Sequence, residues 1–271
     1  MRKTYSKMLQ QSFIDFCLRN LQATGMDEEV ELFQPFQKEQ ITLPEEAQCM
    51  AVKTLLHMCN LQFALRLRSN AEFMSPSGGV PFIKVGAQIV SEFDPIVEYL
   101  DLKGISLSQE LSGAQRSEMK AYMALTINRF YNAEVFLSWY CEAIAEKITK
   151  PRYGAPYAWP LNKILPWYKQ QEAKKYLKVQ GWLEKSQDEV YEELKMACKA
   201  LSDKLGDQYY FFLDRPSELD ALVFGHLYSL LTFQLIDDKM ADIVNSFPSL
   251  TRFVERIQDT YFAGAAAEEN S

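Results

Sequence analysis

Catalytic and metal-binding sites draw heavily on histidine and cysteine, and this chain is short of both. Its 271 residues include two histidines, His57 and His226, which lie far apart in sequence. His57-x-Cys59 is the only metal-like pair, too few ligands for a structural zinc. The five cysteines (Cys17, Cys49, Cys59, Cys141 and Cys198) are odd in number and follow no spacing framework, which argues against a disulfide scaffold and for a reducing compartment. No apolar run approaches the ~18–20 residues that span a bilayer, so any membrane association has to be peripheral or supplied by a partner. A phosphate-cradling glycine loop and a nucleophile elbow are both missing. Basic residues are outnumbered, and a formal net charge of −7 argues against a nucleic-acid-binding face. The N-terminus also lacks the compact apolar core and cleavage site of a secretory signal.

What is present is the composition of an ordinary globular protein, 48% hydrophobic and 24% charged, with enough chain for a substantial core. Residues 1–29 read as an extension in which Leu9, Phe13, Phe16, Cys17 and Leu21 recur at helical spacing beside Arg2, Lys3, Lys7 and Arg19. A helix packing on the domain or on a partner fits this better than a cleaved mitochondrial presequence, which carries more Arg and Ser. Val30–Gln34 reads as a first strand and Ala47–Cys59 as a helix. Phe63–Arg68 alternates Phe63, Leu65 and Leu67 with polar or small neighbours, the period of a half-buried strand.

The segment Ser75–Leu100 carries the densest local signals. A small-residue loop leads into a Val80-Pro81 step, a site suited to a cis peptide, and then a short strand over Phe82–Val85. A turn at Gly86-Ala87 and a second short strand, Gln88–Val90, precede a helix whose first turn is Ser91-Glu92-Phe93-Asp94. Ser91 is the expected cap, with Glu92, Asp94 and Pro95 suited to the helix start. The order so far is βαβ, a connection, then ββα, ending near residue 102. Lys103–Ser108 reads as a linker, and helices alone follow. One or two cover 112–148, another covers Leu161–Val179, and Ser186-x-x-Glu189 opens one that stops at Gly206. Ser217-x-x-Asp220 is a second capping box, inside the segment Asp214–Ile236, and a last helix runs from about Pro248 to Phe262. The expected parts are therefore an extension (1–29), an α+β domain (30–103), an all-α domain (104–262) and a frayed tail (263–271).

The Val-Pro step, the β-to-α domain order and the Ser-x-x-Asp box together resemble the glutathione transferase family. The resemblance implies an N-terminal thioredoxin-like domain followed by an all-helical domain, with Val80, Pro81, Glu92 and Phe93 at the glutathione-site positions. In that family the acidic residue at the helix start is followed by Ser, which helps to hold the γ-glutamyl end of glutathione. Glu92 keeps the acid, and Phe93 replaces the Ser with a ring that cannot hydrogen-bond and that fills part of the pocket. The family also needs a hydroxyl or thiol near its first helix to stabilise the thiolate. Between Val30 and Gln48 the only candidate is Thr42, and Cys49 reads better as a buried apolar residue. No catalytic residue, cofactor or metal is expected. His226 reads as a packed, hydrogen-bonded core histidine, and the acidic pairs Glu45-Glu46 and Glu192-Glu193 as helix starts or solvated faces.

One segment is left over. Pro151–Pro160 is stiffened by Pro151, Pro156 and Pro160 and carries Arg152, Tyr153, Tyr157 and Trp159, the residue types of binding hot spots. It is either a partner-binding loop or a cover whose aromatics pack inward. The helix after it carries Lys163, Lys169, Lys174, Lys175 and Lys178, which suits a solvated face or an anionic membrane surface. Met74–Ile83, Met119–Met123, Arg152–Asn162 and Leu219–Tyr228 together resemble the metaxin family. That resemblance implies a non-enzymatic subunit on the cytosolic face of the mitochondrial outer membrane, peripheral and held by a membrane-anchored metaxin partner as a heterodimer. It further implies work with the sorting and assembly machinery for β-barrel proteins, and with motor-adaptor proteins that move or tether mitochondria. The competing expectations are a divergent glutathione transferase or peroxidase, and a targeting module of another cytosolic assembly.

Overall fold

A computed structural model describes residues 29–37, 39–212 and 214–263. The extension and the tail expected at 1–29 and 263–271 lie almost wholly outside these described residues. The first part is a four-stranded sheet in the order β2-β1-β3-β4, built from β1 (Val30–Gln34), β2 (Phe63–Leu67), β3 (Phe82–Val85) and β4 (Gln88–Ser91). β1 runs parallel to β2 and antiparallel to β3, and β3 is antiparallel to β4. Strand alternation sends Val30, Leu32, Ile83 and Val85 into the main core. On the opposite face Phe33 and Phe82, paired across the ladder, stack at 4.7 Å over Ala71 and Val80. Glu31 receives hydrogen bonds from Arg66 on β2 (2.8 Å) and Lys84 on β3 (3.1 Å), tying three strands together on the outer surface.

Helix α1 (Leu43–Met58) starts four residues before the apolar pattern at Ala47 suggests. Local chemistry explains the difference. Thr42 is the N-cap, Pro44 sits in the first turn, and the Glu45 carboxylate accepts the Thr42 N–H at 3.1 Å. A short α2 (Ala71–Met74) precedes β3, and α3 (Phe93–Leu102) closes this part. The cap of α3 differs from the sequence expectation. Ser91 is paired with Phe82 in the β3–β4 ladder, so its backbone belongs to the strand, and its hydroxyl donates to Ser77 Oγ at 2.9 Å. Glu92, at φ 72°, makes the turn and is the N-cap, and α3 begins at Phe93.

Gly104, at φ 78°, ends the connection out of α3. The next residues are held by a carboxylate from the other part of the molecule: Glu218 Oε1 accepts the N–H groups of Leu107 (3.0 Å) and Ser108 (3.3 Å) and both neighbouring serine hydroxyls. A long helical course then runs from 113 to 154, beyond the limit of 148 expected from sequence. It comprises α4 (Gly113–Thr126), α5 (Asn132–Val135), α6 (Glu142–Ile144) and α7 (Lys150–Gly154), joined by π-helical turns at Ile127–Tyr131, Phe136–Tyr140 and Ala145–Thr149. The start of the proline-stiffened segment is thus helical, and only its remainder is a turn. α8 (Leu161–Val179) and α9 (Gln187–Leu205) follow, the latter capped by Ser186 with Glu189 and ended at Gly206. α10 (Glu218–Thr232), α11 (Lys239–Asn245) and α12 (Pro248–Tyr261) complete the described chain; the short α11 had no clear sequence signal.

α10 is buried along nearly its whole length and crosses α1 at Gly225. A β-carbon on Gly225 would lie 2.5 Å from the Ala47 carbonyl oxygen and 2.7 Å from Ala51 Cα, so the two backbones are in direct contact there. The result is one continuous core that runs from the sheet through α1 and α10 to Phe130, Trp139 and Phe253.

Candidate functional site

A cavity of about 460 Å³ opens between the two parts of the molecule. Its sheet-side wall is Pro44, Glu45 and Gln48 at the start of α1, with Gly79-Val80 and Glu92-Phe93 beside them. The helical wall is Tyr131, Trp139, Lys169 and Tyr176. The Val80-Pro81 peptide is cis. The four positions that the resemblance singles out therefore lie together at this cleft: Val80 lines it next to Pro81, and Glu92 and Phe93 stand at the start of α3. Phe93 is buried in the core and closes the floor, where a serine would have offered a donor. The Glu92 carboxylate rests against Gly79, whose missing β-carbon would stand 3.2 Å from Oε1.

The electrostatics of the cleft are those of an acidic pocket. Among the described residues Glu45, Glu92, Asp94 and Glu172 line it, with Lys169 the one cation beside them. Burial raises the pKa of Glu45, and burial together with Glu98 and Glu92 raises that of Asp94. Lys169 pairs with Glu72; burial alone would lower its pKa, but Glu72 and Glu45 win and hold it above the ordinary lysine value. Cys49, one turn into α1, is buried, and burial pushes its thiol far above the ordinary value. A thiol held protonated is neither nucleophile nor metal ligand.

The four hot-spot residues divide sharply. Arg152 donates to the carbonyls of Ile41 (3.2 Å) and Gln37 (3.3 Å) and stacks on Phe233 at 4.7 Å. Tyr153 is buried edge-on against Trp139 and donates its hydroxyl to Glu72 at 2.6 Å. Tyr157 donates to the Ser69 carbonyl at 2.8 Å. All three reach from the helical part to the sheet part and act as a latch between them. Trp159, 81% exposed, points to solvent.

The chain carries a family signature on either side of this segment. Two family models match: the glutathione S-transferase N-terminal domain over residues 47–144 and the glutathione S-transferase C-terminal domain over 194–257. The chain is 49% identical over 235 residues to human Metaxin-2, covering 87% of this chain and 89% of that one. It is also 38% identical over 205 residues to the Metaxin-2 homolog of Caenorhabditis elegans, 76% of this chain and 89% of the relative. The chain belongs to the metaxin family. A more distant metaxin relative is mouse Metaxin-1, at 26% identity over 79% of this chain and 69% of that one. Among solved structures, a glutathione-S-transferase from Xylella fastidiosa matches with TM-score 0.52 at 16% identity, covering 85% of this chain and 93% of that one. The β-etherase LigF of Sphingobium sp. strain SYK-6 matches with TM-score 0.54 at 18% identity, covering 84% and 94%. At such identities the likeness establishes a glutathione-transferase-like two-domain fold and nothing about chemistry.

In this metaxin, Ser217 and Asp220 form a buried box at the start of α10. The Ser217 N–H and hydroxyl donate to Asp220 Oδ2 at 2.8 and 2.6 Å, and the Phe211 N–H donates to Oδ1 at 2.9 Å. Burial pushes the Asp220 carboxyl up to about 6. His226, six residues beyond Asp220 on the same helix, is fully buried, with Nδ1 2.7 Å from Glu134 Oε1 and Nε2 3.3 Å from the Gln48 side-chain nitrogen. Burial raises the pKa of Glu134 against the opposing pull of His226. Glu134 and Gln48 were not foreseen as its partners. A lone acid within the apolar run Ala133–Leu137 was the signal available for the first. Glu72 and Lys169 were likewise unforeseen, because their pairing depends on how α2 meets α8. Among the described residues no cluster of three or more His, Cys, Asp or Glu is placed to hold a metal.

Proposed function

We propose that this chain is a non-enzymatic subunit of a mitochondrial outer-membrane complex, acting in the import and assembly of β-barrel proteins. The observation that carries this reading is the 49% identity to human Metaxin-2 over 87% of the chain. The cleft supports the non-enzymatic half. The position that the resemblance gives to the γ-glutamyl-binding Ser holds Phe93, Thr42 near the first helix serves as its cap, Cys49 is buried and protonated, and the acidic lining repels an anionic peptide such as glutathione. In this reading the α+β domain (30–103) and the helical domain (104–262), latched by Arg152, Tyr153 and Tyr157, form one rigid docking body. The cleft between them serves as a groove for protein rather than for glutathione. The partners are a membrane-anchored metaxin, joined as a heterodimer, and through it the sorting and assembly machinery. Motor-adaptor proteins that move or tether mitochondria are a further set. Localisation is the cytosolic face of the outer membrane, peripheral; among the described residues no helix is long and apolar enough to cross a membrane.

The test is deletion of the protein followed by native gels of outer-membrane β-barrels. Slowed assembly of pore and import barrels is the expected result, and undiminished assembly would remove the assembly role. Alkaline extraction checks the peripheral reading: the protein is expected in the extract, and a pool that stays in the membrane without its anchored partner contradicts it.

A further inference from the structure

The helix α8 presents to solvent a face that the latch and the cleft do not use. Its inner side is Pro166, Gln170, Ala173 and Leu177, all buried. On the outer side Leu161, Ile164 and Tyr168 fall in one row at i, i+3 and i+7, with Trp167 beside them and Trp159 just before the helix. All five are exposed, Trp167 by 53% and Tyr168 by 59%, so the patch is large, aromatic and uncovered by the described chain. The same row continues toward the C-terminal end as Gln171, Lys175 and Lys178, with Lys174 and Lys163 at its edge. Over this helix five lysines stand against one acid, Glu172, in a chain whose net charge is −7. Lys169 alone among them turns inward, to Glu72.

We propose that this outer face of α8, with Trp159, is a membrane-contact surface that takes an anionic bilayer. Trp and Tyr are the residues that settle at the boundary between headgroups and acyl chains, and Leu161 and Ile164 supply apolar depth between them. The lysines lie on the same face, within reach of lipid phosphates. A protein partner is the poorer fit, because lysine is depleted at protein interfaces while aromatics are enriched, and here the two share one surface. Charge complementarity also favours one orientation: in a chain of net charge −7 the lysine-bearing face of α8 is drawn to an anionic surface. The inference rests on the reading that the chain works at a membrane, and it adds which surface touches the lipid.

The test is flotation of the purified full chain with phosphatidylcholine vesicles, with and without phosphatidylserine. Wild type is expected to float with the anionic vesicles, to be released by salt, and to float poorly with the neutral ones. Exchanging Lys174, Lys175 and Lys178 for Gln should weaken anionic binding roughly a hundredfold at low salt, while the same exchange at exposed Lys195 and Lys199 on α9 leaves it unchanged. Trp167→Ser with Tyr168→Ser should reduce binding about tenfold or more without shifting the melting temperature, since neither side chain is buried. Failure of wild type to float, equal loss from the α9 lysines, or a dimer that Trp167→Ser dissolves would each overturn the proposal. Vesicle binding through α8 with normal β-barrel assembly in cells lacking the protein would uphold this surface and remove the assembly role; the reverse outcome would do the opposite.

Discussion

Gly225 lies so close to Ala51 that a β-carbon on it would stand 2.4 Å from the Ala51 backbone nitrogen. This contact joins the helix that backs the sheet to the central helix of the all-α part. It makes the relation between the two parts a matter of backbone packing rather than of surface side chains. All three atoms facing Gly225 from Ala47 and Ala51 belong to the main chain, so none can swing aside.

Gly225→Ala is therefore expected to be strongly destabilising, by roughly 1–3 kcal/mol or more, because α1 and α10 must move apart. Gly113→Ala is the control: a β-carbon there meets nothing within 4 Å, and the change should be neutral or slightly stabilising. Urea midpoints of the two variants and wild type decide the point. Equal midpoints would mean that the crossing is looser than it is drawn.

Asp220 gives a pH dependence with a defined sign. Its carboxyl moves from an ordinary value of 3.8 to about 6 on folding, so the folded chain holds this proton more tightly than the unfolded chain. The stability it contributes is complete below about 4 and falls as pH rises through about 6. Asp220→Asn should flatten that part of the profile relative to wild type. It should also cost on the order of 1–2 kcal/mol at neutral pH through the altered cap. Denaturation at pH 4.5 and pH 7 is the measurement. A variant whose slope matches wild type would show that other groups set it.

The latch predicts where the hot-spot residue types act on stability. Tyr153→Phe leaves the half-buried Glu72 one donor short and should cost about 1–2 kcal/mol, while Tyr157→Phe should cost about 0.5–1.5 kcal/mol. Arg152→Ala loses two carbonyl contacts and the stack on Phe233, and should exceed Tyr157→Phe. Trp159→Ala should stay within about 0.5 kcal/mol of wild type, since its ring is in solvent. Thermal melts of the four variants test this order, and a large loss at Trp159 would break it.

Phe93→Ser puts a hydroxyl at the position where the resemblance implies one, while the acidic lining of the cleft is unchanged. It is expected to lose about 3–5 kcal/mol through the cavity left by the ring. The variant should be retained no better than wild type on immobilised glutathione and should conjugate no thiol. Retention or conjugation would show that one residue separates this chain from a working transferase.

Much of this molecule is legible along the chain. The strand periods of Val30–Gln34 and Phe63–Leu67, the Val80-Pro81 step and the capping boxes at Ser186 and Ser217 are local chemistry. Each depends on neighbours within a few residues. Ser91 misled because a cap and the end of a strand use the same residue type, and the choice was made by Phe82, paired across the ladder. The start of α1 at Leu43 was also local, signalled by Thr42, Pro44 and Glu45, but the apolar pattern that begins at Ala47 obscured it.

By itself, then, the sequence determined the order of elements, a phenyl ring at Phe93 where the family resemblance implies a serine, and the lack of metal-ligand spacing, all properties of residues near one another in the chain. Only the tertiary structure decided that Arg152, Tyr153 and Tyr157 are spent on holding two domains together while Trp159 stays free. It also decided that Glu134 meets His226 and that Glu218 seats the linker. Those outcomes depend on contacts between residues separated by 81 to 115 positions, as in Tyr153 with Glu72 and Arg152 with Gln37. Such contacts are set when α1 and α10 close on each other through Gly225, and a periodicity along the chain carries no record of that distance.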